Sequence, residues 1–289
     1  MPGTDAAPAH SLHCAGRVLD LSTPAIMGVI NVTPDSFSDG GHLYRDARVD
    51  VEAALGRARD MVTAGARVLD VGGESTRPGA APVSEQEELD RVLPVVEAIS
   101  RELDVLVSVD TSTPAVMLDA AAAGAGLIND VRSLRREGAM EAAVSAQVPV
   151  CLMHMQGSPA TMQKKPEYRE VVSEVVDYLS QRLTECEAAG LPRARVVLDP
   201  GFGFGKTLVH NLQLLRGLPD LAALGLPLLV GLSRKSMIGQ MLGRDVDQRL
   251  AASLGLAVIA VERGASIVRT HDVAETADAV AMAVAVRDA

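Results

Sequence analysis

Ser233-Arg234-Lys235-Ser236 and Arg269-Thr270-His271-Asp272 each follow a short apolar run. Arg234, Lys235, Arg269 and His271 at two successive run ends, with a helix N-terminus after Asp272, suit a phosphate or diphosphate. Surface salt bridges are the plainer reading of the same charges. Asp110, Asn129 and Asp199 end three other runs and form an opposite, acidic and amide pole. Such groups suit a flat, nitrogen-rich heterocycle, because an Asp can pair with a guanidine-like N–H pair as it pairs with Arg. A lone Asp in such a place is also an ordinary helix cap. Asp199-Pro200-Gly201-Phe202-Gly203-Phe204-Gly205-Lys206 has three alternate glycines, which serve either a tight turn or close approach to a ligand. It matches neither a Walker A loop nor a GxGxxG fingerprint. The stretches 31–41 and 72–79 mix glycines, hydroxyls and charges, and read as mobile lids. Asn31 and Asp35 are candidate ligands of Mg²⁺, which prefers oxygen and keeps waters and phosphate oxygens in its shell. For His154, structural and functional roles are equally open.

These residues need a scaffold that brings run ends together. Eight runs end at Ile30-Asn31, Leu69-Asp70, Val109-Asp110, Ile128-Asn129, Met153-His154, Leu198-Asp199, Leu232-Ser233 and Val268-Arg269. Consecutive endings lie roughly 20 to 45 residues apart, which is about what a crossover helix and its loops need. The pattern predicts an α/β fold, a single (β/α)8 TIM barrel with its site at the C-terminal strand ends. A doubly wound sheet shares the alternation, and the count of eight favours closure. Residues 1–15 read as a flexible tail and 16–289 as the barrel domain. Arg17 to Leu21 with Ser22-Thr23-Pro24 form a short strand and turn able to plug the barrel bottom. Helix starts are expected at Ser84 with Glu87 reaching back, at Thr113-Pro114 and at Asp272. Stops are expected at Gly65, Gly124, Gly190 and Gly264. Residues 167–189 give the longest helical stretch.

Composition narrows the classes. The chain has 289 residues, 48% apolar but only 2% aromatic, with no Trp. An aliphatic core suits the branched layers of a barrel interior. A net charge of −10, spread along the chain, argues against nucleic-acid and acidic-membrane partners. No apolar stretch is long enough to span a bilayer, and the N-terminus lacks a signal-peptide pattern. Cys14, Cys151 and Cys186, odd in number and widely spaced, suit a reduced cytoplasmic protein. His10, His13 and Cys14 lie close together, where a mobile tail is a commoner reading than a metal site.

The motifs taken together resemble the bacterial dihydropteroate synthases. The resemblance runs through 27–41, 70–79, Ser108-Val109-Asp110-Thr111, Ile128-Asn129-Asp130, 198–206, Ser233-Arg234-Lys235-Ser236 and 269–273, and covers about residues 16 to 285. It implies a pterin-binding barrel that joins hydroxymethyl-dihydropterin pyrophosphate to para-aminobenzoate and releases pyrophosphate, a folate-synthesis step inhibited by sulfonamides. The displacement would be dissociative, without a covalent enzyme intermediate. By the same resemblance Asp110, Asn129, Asp199 and Lys235 hold the pterin. Asn31, Arg269 and His271 hold the diphosphate, with Mg²⁺ at Asn31. Thr33, Pro34, Ser36, Phe37, Thr76, Arg77, Pro78, Phe204, Lys235 and Ser236 build the lids and aminobenzoate pocket. Asp35, Asp110, Arg269 and His271 carry the catalysis, and a homodimer through the late helices is implied. Thr270, often aliphatic in relatives, is expected to face away. Two other enzymes remain to be weighed. A Schiff-base lyase on Lys235 needs a lowered lysine pKa, which three acids in the same mouth should oppose. A pterin-dependent methyltransferase would lack the diphosphate cations.

Overall fold

The computed structural model of the chain describes residues 11–33, 44–45, 48–75, 82–159 and 161–289. Its strands and helices alternate as the sequence predicts. An N-terminal hairpin, β1 (Ser11–Cys14) and β2 (Arg17–Asp20), precedes β3 (Ala25–Asn31), the first barrel strand. A two-residue ladder, β4 (Tyr44–Arg45) with β5 (Arg48–Val49), leads to α1 (Val51–Thr63). There follow β6 (Val68–Gly72), α2 (Glu85–Glu102), β7 (Leu106–Asp110), α3 (Pro114–Ala122), β8 (Leu127–Asp130), α4 (Ala139–Ala146) and β9 (Val150–Met153). The chain continues through α5 (Val171–Ala188), β10 (Val196–Asp199), α6 (Leu208–Arg216), α7 (Leu218–Ala222), β11 (Leu229–Gly231) and α8 (Ser236–Leu242). It ends with α9 (Leu250–Glu262), β12 (Ile267–Thr270) and α10 (Val273–Arg287).

The eight long strands are parallel, in the order β10-β9-β8-β7-β6-β3-β12-β11. The Leu198–Leu228 bridge, with the Leu198 N–H donating to Pro227 O at 2.9 Å, joins the two ends of that order. The sheet is therefore a near-closed barrel, as expected.

Strand side chains alternate between faces. At the bottom of the interior, Met27, Val68, Leu106, Leu127, Cys151, Val197, Leu229 and Ile267 form one apolar cluster. Leu12, Cys14 and Leu19 of the hairpin and Leu21 just beyond it close that cluster from below. The expected plug is present, and it begins earlier than expected. Residues 11–15 are not tail, because Leu12 and Cys14 alternate inward from β1 while Ser11 and His13 face out. Cys14 is buried, its thiol pushed up to about 12 by burial, and it faces away from His13. The second core lies between the barrel and its helices, where Ile30, Leu69, Val109 and Ile128 meet Leu55, Ile99 and Leu179.

Helix ends follow the sequence signals in part, and Glu87 accepts from Arg91 instead of reaching back to Ser84. Ser84 accepts the Glu87 amide, and the four expected glycine stops all take left-handed backbone angles. Thr113 occupies its cap position, but its hydroxyl donates to the buried Glu88 Oε2 (2.5 Å) instead of capping. Asp272 likewise stands at the cap position of α10 without a cap bond. Residues 167–170 are not helical. The Arg169 and Glu170 amides both donate to Glu174 Oε1, which ends the helix at Val171 and leaves α5 at 18 residues, no longer than α2.

Candidate active site

Two residues above the apolar layer, the same inward-facing positions turn polar. Asp70, Ser108, Asn129, Asp199 and Arg269 stand there, directly on Val68, Leu106, Leu127, Val197 and Ile267. Asn31, Asp110 and His271 are one inward step higher. A cavity of about 460 Å³ opens over this layer. Asn31, Thr33, Asp110, Asn129, Asp199, Phe204, Lys235, Ser236, Arg269 and His271, all expected from the sequence, line it together. Pro34, Asp35, Ser36, Phe37, Thr76, Arg77 and Pro78 lie outside the described residues.

The centre of the site is a network that the sequence did not reveal. Asp70 is fully buried. Its Oδ1 accepts from Ser108 Oγ at 2.6 Å, and its Oδ2 accepts from Asn129 Nδ2 at 3.0 Å and Arg269 Nε at 2.6 Å. Arg269 also donates through Nη2 to Asp110 Oδ2 at 3.0 Å. One guanidinium thus joins the acidic pole to the cationic pole. Burial works against its charge, and Asp70 and Asp110 outweigh burial and raise its pKa. Burial pushes the Asp110 carboxyl up to about 7, with Asp70 adding to the rise and Arg269 opposing it. Asp70 left a signal after all, since it occupies the inward-facing position two residues beyond Val68.

Asp199 is also buried and raised, mainly by burial, against the Gly201 amide (2.7 Å to Oδ1) and the Lys235 and Lys206 cations. Lys235 Nζ lies 4.4 Å from the centroid of the Phe204 ring. The expectation that neighbouring acids keep Lys235 fully charged is not met. Burial, the largest influence, lowers it to about 8 although Asp199 pulls the other way.

Of the expected cationic pole, Arg234, Lys235, Arg269 and His271 all line the cavity. Arg234 lies at the cavity wall, but its Nε donates to Asp272 Oδ2 at 3.0 Å and its Nη2 to the other carboxylate oxygen. This pair explains why Asp272 does not cap α10, and it holds the Arg234 guanidinium at the cavity wall as Asp70 and Asp110 hold that of Arg269. No residue of α10 itself lines the cavity, though His271, two residues before it, does. His271 is held neutral, its pKa lowered to about 3 by burial and then by Arg269 and Arg234. Ser233 Oγ accepts the His271 amide (3.2 Å) and lies 3.1 Å from Nδ1. If that hydroxyl gives its proton to Nδ1, the ring proton sits on Nε2 and the imidazole acts as a neutral donor. Thr270 faces outward as expected and meets Thr276 at 3.0 Å.

Glu74 and Ser75, from the stretch read as the second lid, line the cavity, and so does Arg249, which was not expected. Glu74 receives two parallel bonds of 2.9 Å from Arg132, a fork that ties the segment after β6 to the segment after β8. Among the described residues, no group of three or more His, Cys, Asp or Glu could hold a metal ion. What is present near the cationic pole is the oxygen donor of Asn31. That set fits a Mg²⁺ carried mainly by phosphate oxygens and water, with one protein ligand. His154 does not line the cavity, and its Nδ1 lies 2.9 Å from Lys206 Nζ.

The sequence of residues 27–271 matches the model of the pterin binding enzyme family. The chain is 54% identical to the dihydropteroate synthase of Escherichia coli K12 over 268 residues, 93% of each chain. The chain belongs to the dihydropteroate synthases. In solved structures its fold matches the Yersinia pestis dihydropteroate synthase bound to a sulfonamide drug, with a TM-score of 0.93 and 53% identity, over 96% of this chain and all of that one. It also matches the Xanthomonas albilineans dihydropteroate synthase with 4-aminobenzoic acid, with a TM-score of 0.89 and 48% identity, over 97% and 99% of the two chains. Membership in this family removes the Schiff-base and methyltransferase alternatives. Among the described residues, no helix of the enzyme is long and apolar enough to cross a membrane.

Proposed function

We propose that this synthase assembles dihydropteroate at the junction between its two poles. The observation that carries this reading is Arg269, which bridges Asp70 (2.6 Å) and Asp110 (3.0 Å) between the heterocycle pole and the diphosphate pole. A pterin on Asp110, Asn129, Asp199 and Lys235 would have its exocyclic methylene beside that guanidinium. The methylene C–O bond breaks, and its electron pair leaves with pyrophosphate. Arg269 and the neutral N–H of His271 take up the charge growing on the leaving oxygens. Asp110, when ionised, stabilises cationic character on the pterin side. The aromatic amine then supplies the electron pair for the new C–N bond and loses its proton to water. No side chain needs to act as a nucleophile.

The aminobenzoate ring would fit against Phe204, which lies beneath Lys235, in the cavity that Ser236 and Thr33 also line. A sulfonamide would compete there, since the Xanthomonas albilineans and Yersinia pestis relatives carry 4-aminobenzoic acid and a sulfonamide drug respectively. Asp35 and the lid residues outside the described region complete this pocket in the same reading. Mg²⁺ held by Asn31 and the diphosphate would neutralise charge on the leaving group. The enzyme is proposed to be cytoplasmic, in keeping with three buried free thiols, and homodimeric through α9 and α10, where Ile259, Met282 and Val286 are exposed.

The test is pyrophosphate release. Release that requires both dihydropterin pyrophosphate and para-aminobenzoate, with dihydropteroate formed in equal amount, is expected. Release with the pterin substrate alone at the same rate would refute the condensation.

A further inference from the structure

Lys206 is the most enclosed cation outside the cavity, only 3% exposed. Its Nζ lies 2.9 Å from Gly201 O, 3.1 Å from Phe204 O, 3.4 Å from His154 O and 2.9 Å from His154 Nδ1. An ammonium has three protons and no acceptor, so a buried one persists only inside such a ring of acceptors. Two of these acceptors belong to residues whose other groups contact residues that line the cavity. The Gly201 amide donates to Asp199 Oδ1 at 2.7 Å. The Phe204 ring lies against Lys235. Lys206 therefore grips the far side of the loop whose near side is the pocket wall.

The opposite half of the grip comes from β9 and α5. The His154 ring packs edge-on against Tyr178 of α5, with centroids 4.9 Å apart. Tyr168 donates from its hydroxyl to Gly205 O at 2.8 Å. The loop lies so close to the end of β9 that a Cβ on Gly201 would stand 1.9 Å from His154 O. Gly205 likewise lies against Gln156 O, at 2.8 Å from an added Cβ, so two of the three alternate glycines let the loop backbone press on the segment after β9, while Gly203 faces Lys235 on the cavity side.

We propose that Lys206 is a positioning residue for the aminobenzoate wall, fixing the 201–205 loop against His154 so that Phe204 stays packed beneath Lys235. The proposal rests on the reading that Phe204 forms that wall. It gives His154 its role as the fixed acceptor, and it explains why Lys206 belongs to the motif without touching substrate.

The test compares Lys206→Met, His154→Gln and Phe204→Leu in steady-state kinetics on the full chain. In Lys206→Met the KM for para-aminobenzoate is expected to rise about tenfold or more, and the KM for dihydropterin pyrophosphate to change by less than about threefold. His154→Gln, which keeps the carbonyl acceptors, should show the same split to a smaller degree. If Lys206→Met does not fold, the split in His154→Gln decides. Equal rises in both KM values, or no change in either, would overturn the proposal. If Phe204→Leu also leaves the para-aminobenzoate KM unchanged, the placement of that substrate is at fault. A raised KM in Phe204→Leu beside an unchanged one in Lys206→Met sinks the positioning role alone.

Discussion

Asp70 is one buried carboxylate bonded to residues of both proposed substrate poles. It orients Asn129 through one bond and Arg269 through another. In Asp70→Asn the shape is kept, and the charge opposite Arg269 and one accepting lone-pair set are lost. Buried charge-assisted bonds are strong, and a network that is only partly satisfied is costly. We expect turnover to fall by roughly 10- to 100-fold, with both substrates still bound, as steady-state kinetics and calorimetry would measure. Wild-type turnover in that variant would show that Arg269 needs only Asp110. The site should also titrate in a narrow window. Asp110 works ionised and has been raised to about 7, so activity falls as pH drops through that value. Lys235 works charged and has been lowered to about 8, so activity falls again as pH rises through that value. His271, at about 3, stays neutral throughout. A bell in kcat/KM for the pterin substrate, with limbs near 7 and 8, is the expected profile. A flat profile from pH 6 to 9 would contradict these assignments.

At the scale of elements, the glycine loop between β10 and α6 is the least tolerant of change. Gly201 has φ +71°, and an added Cβ would collide with the backbone oxygen of His154. Neither strain can relax without moving Asp199, whose carboxylate is bonded to the Gly201 amide. Gly201→Ala should therefore destabilise the fold by on the order of 3 kcal/mol or more, whereas the same change inside an unstrained helix stabilises. Chemical denaturation would measure it, and a loss below about 1 kcal/mol would mean that the loop has room. This loop also shows what sequence could and could not disclose. The strand ends were legible because apolar runs stop where side chains leave the core. The cavity residues were legible because every strand end in a barrel faces one mouth. Asp70 was legible only by inward parity, two residues above Val68. The pairing of Arg234 with Asp272 was opaque because the two lie 38 residues apart and no local pattern links them. His154 was opaque because its partner, Lys206, lies 52 residues away and no local pattern links them. The early start of the hairpin was hidden by its brevity, four residues between turn-like neighbours.

At the scale of the whole molecule, the barrel surface is covered unevenly by its own chain. The last two helices are apolar beyond what the barrel uses. α9 reads LAASLGLAVIAVE, apolar on nearly every side, yet only Ser253, Ala257, Ala260 and Val261 are buried. A helix apolar all round is normally enclosed all round. On α10, Met282 is 65% and Val286 73% exposed. Residues of this kind, with few charges between them, resemble the core of a protein–protein interface more than a solvated face. A second copy related by a two-fold axis would bury the same patch twice, as most homodimers do. Met282→Glu would place a charge at such a centre, far from the cavity and from every residue assigned to binding or catalysis. Sedimentation should then give the mass of one chain for the variant and of two for the wild type at the same concentration. Melting should also become less dependent on protein concentration in the variant, because association stabilises by mass action. Two chains in both samples would move the interface elsewhere, and one chain in both would remove the homodimer altogether.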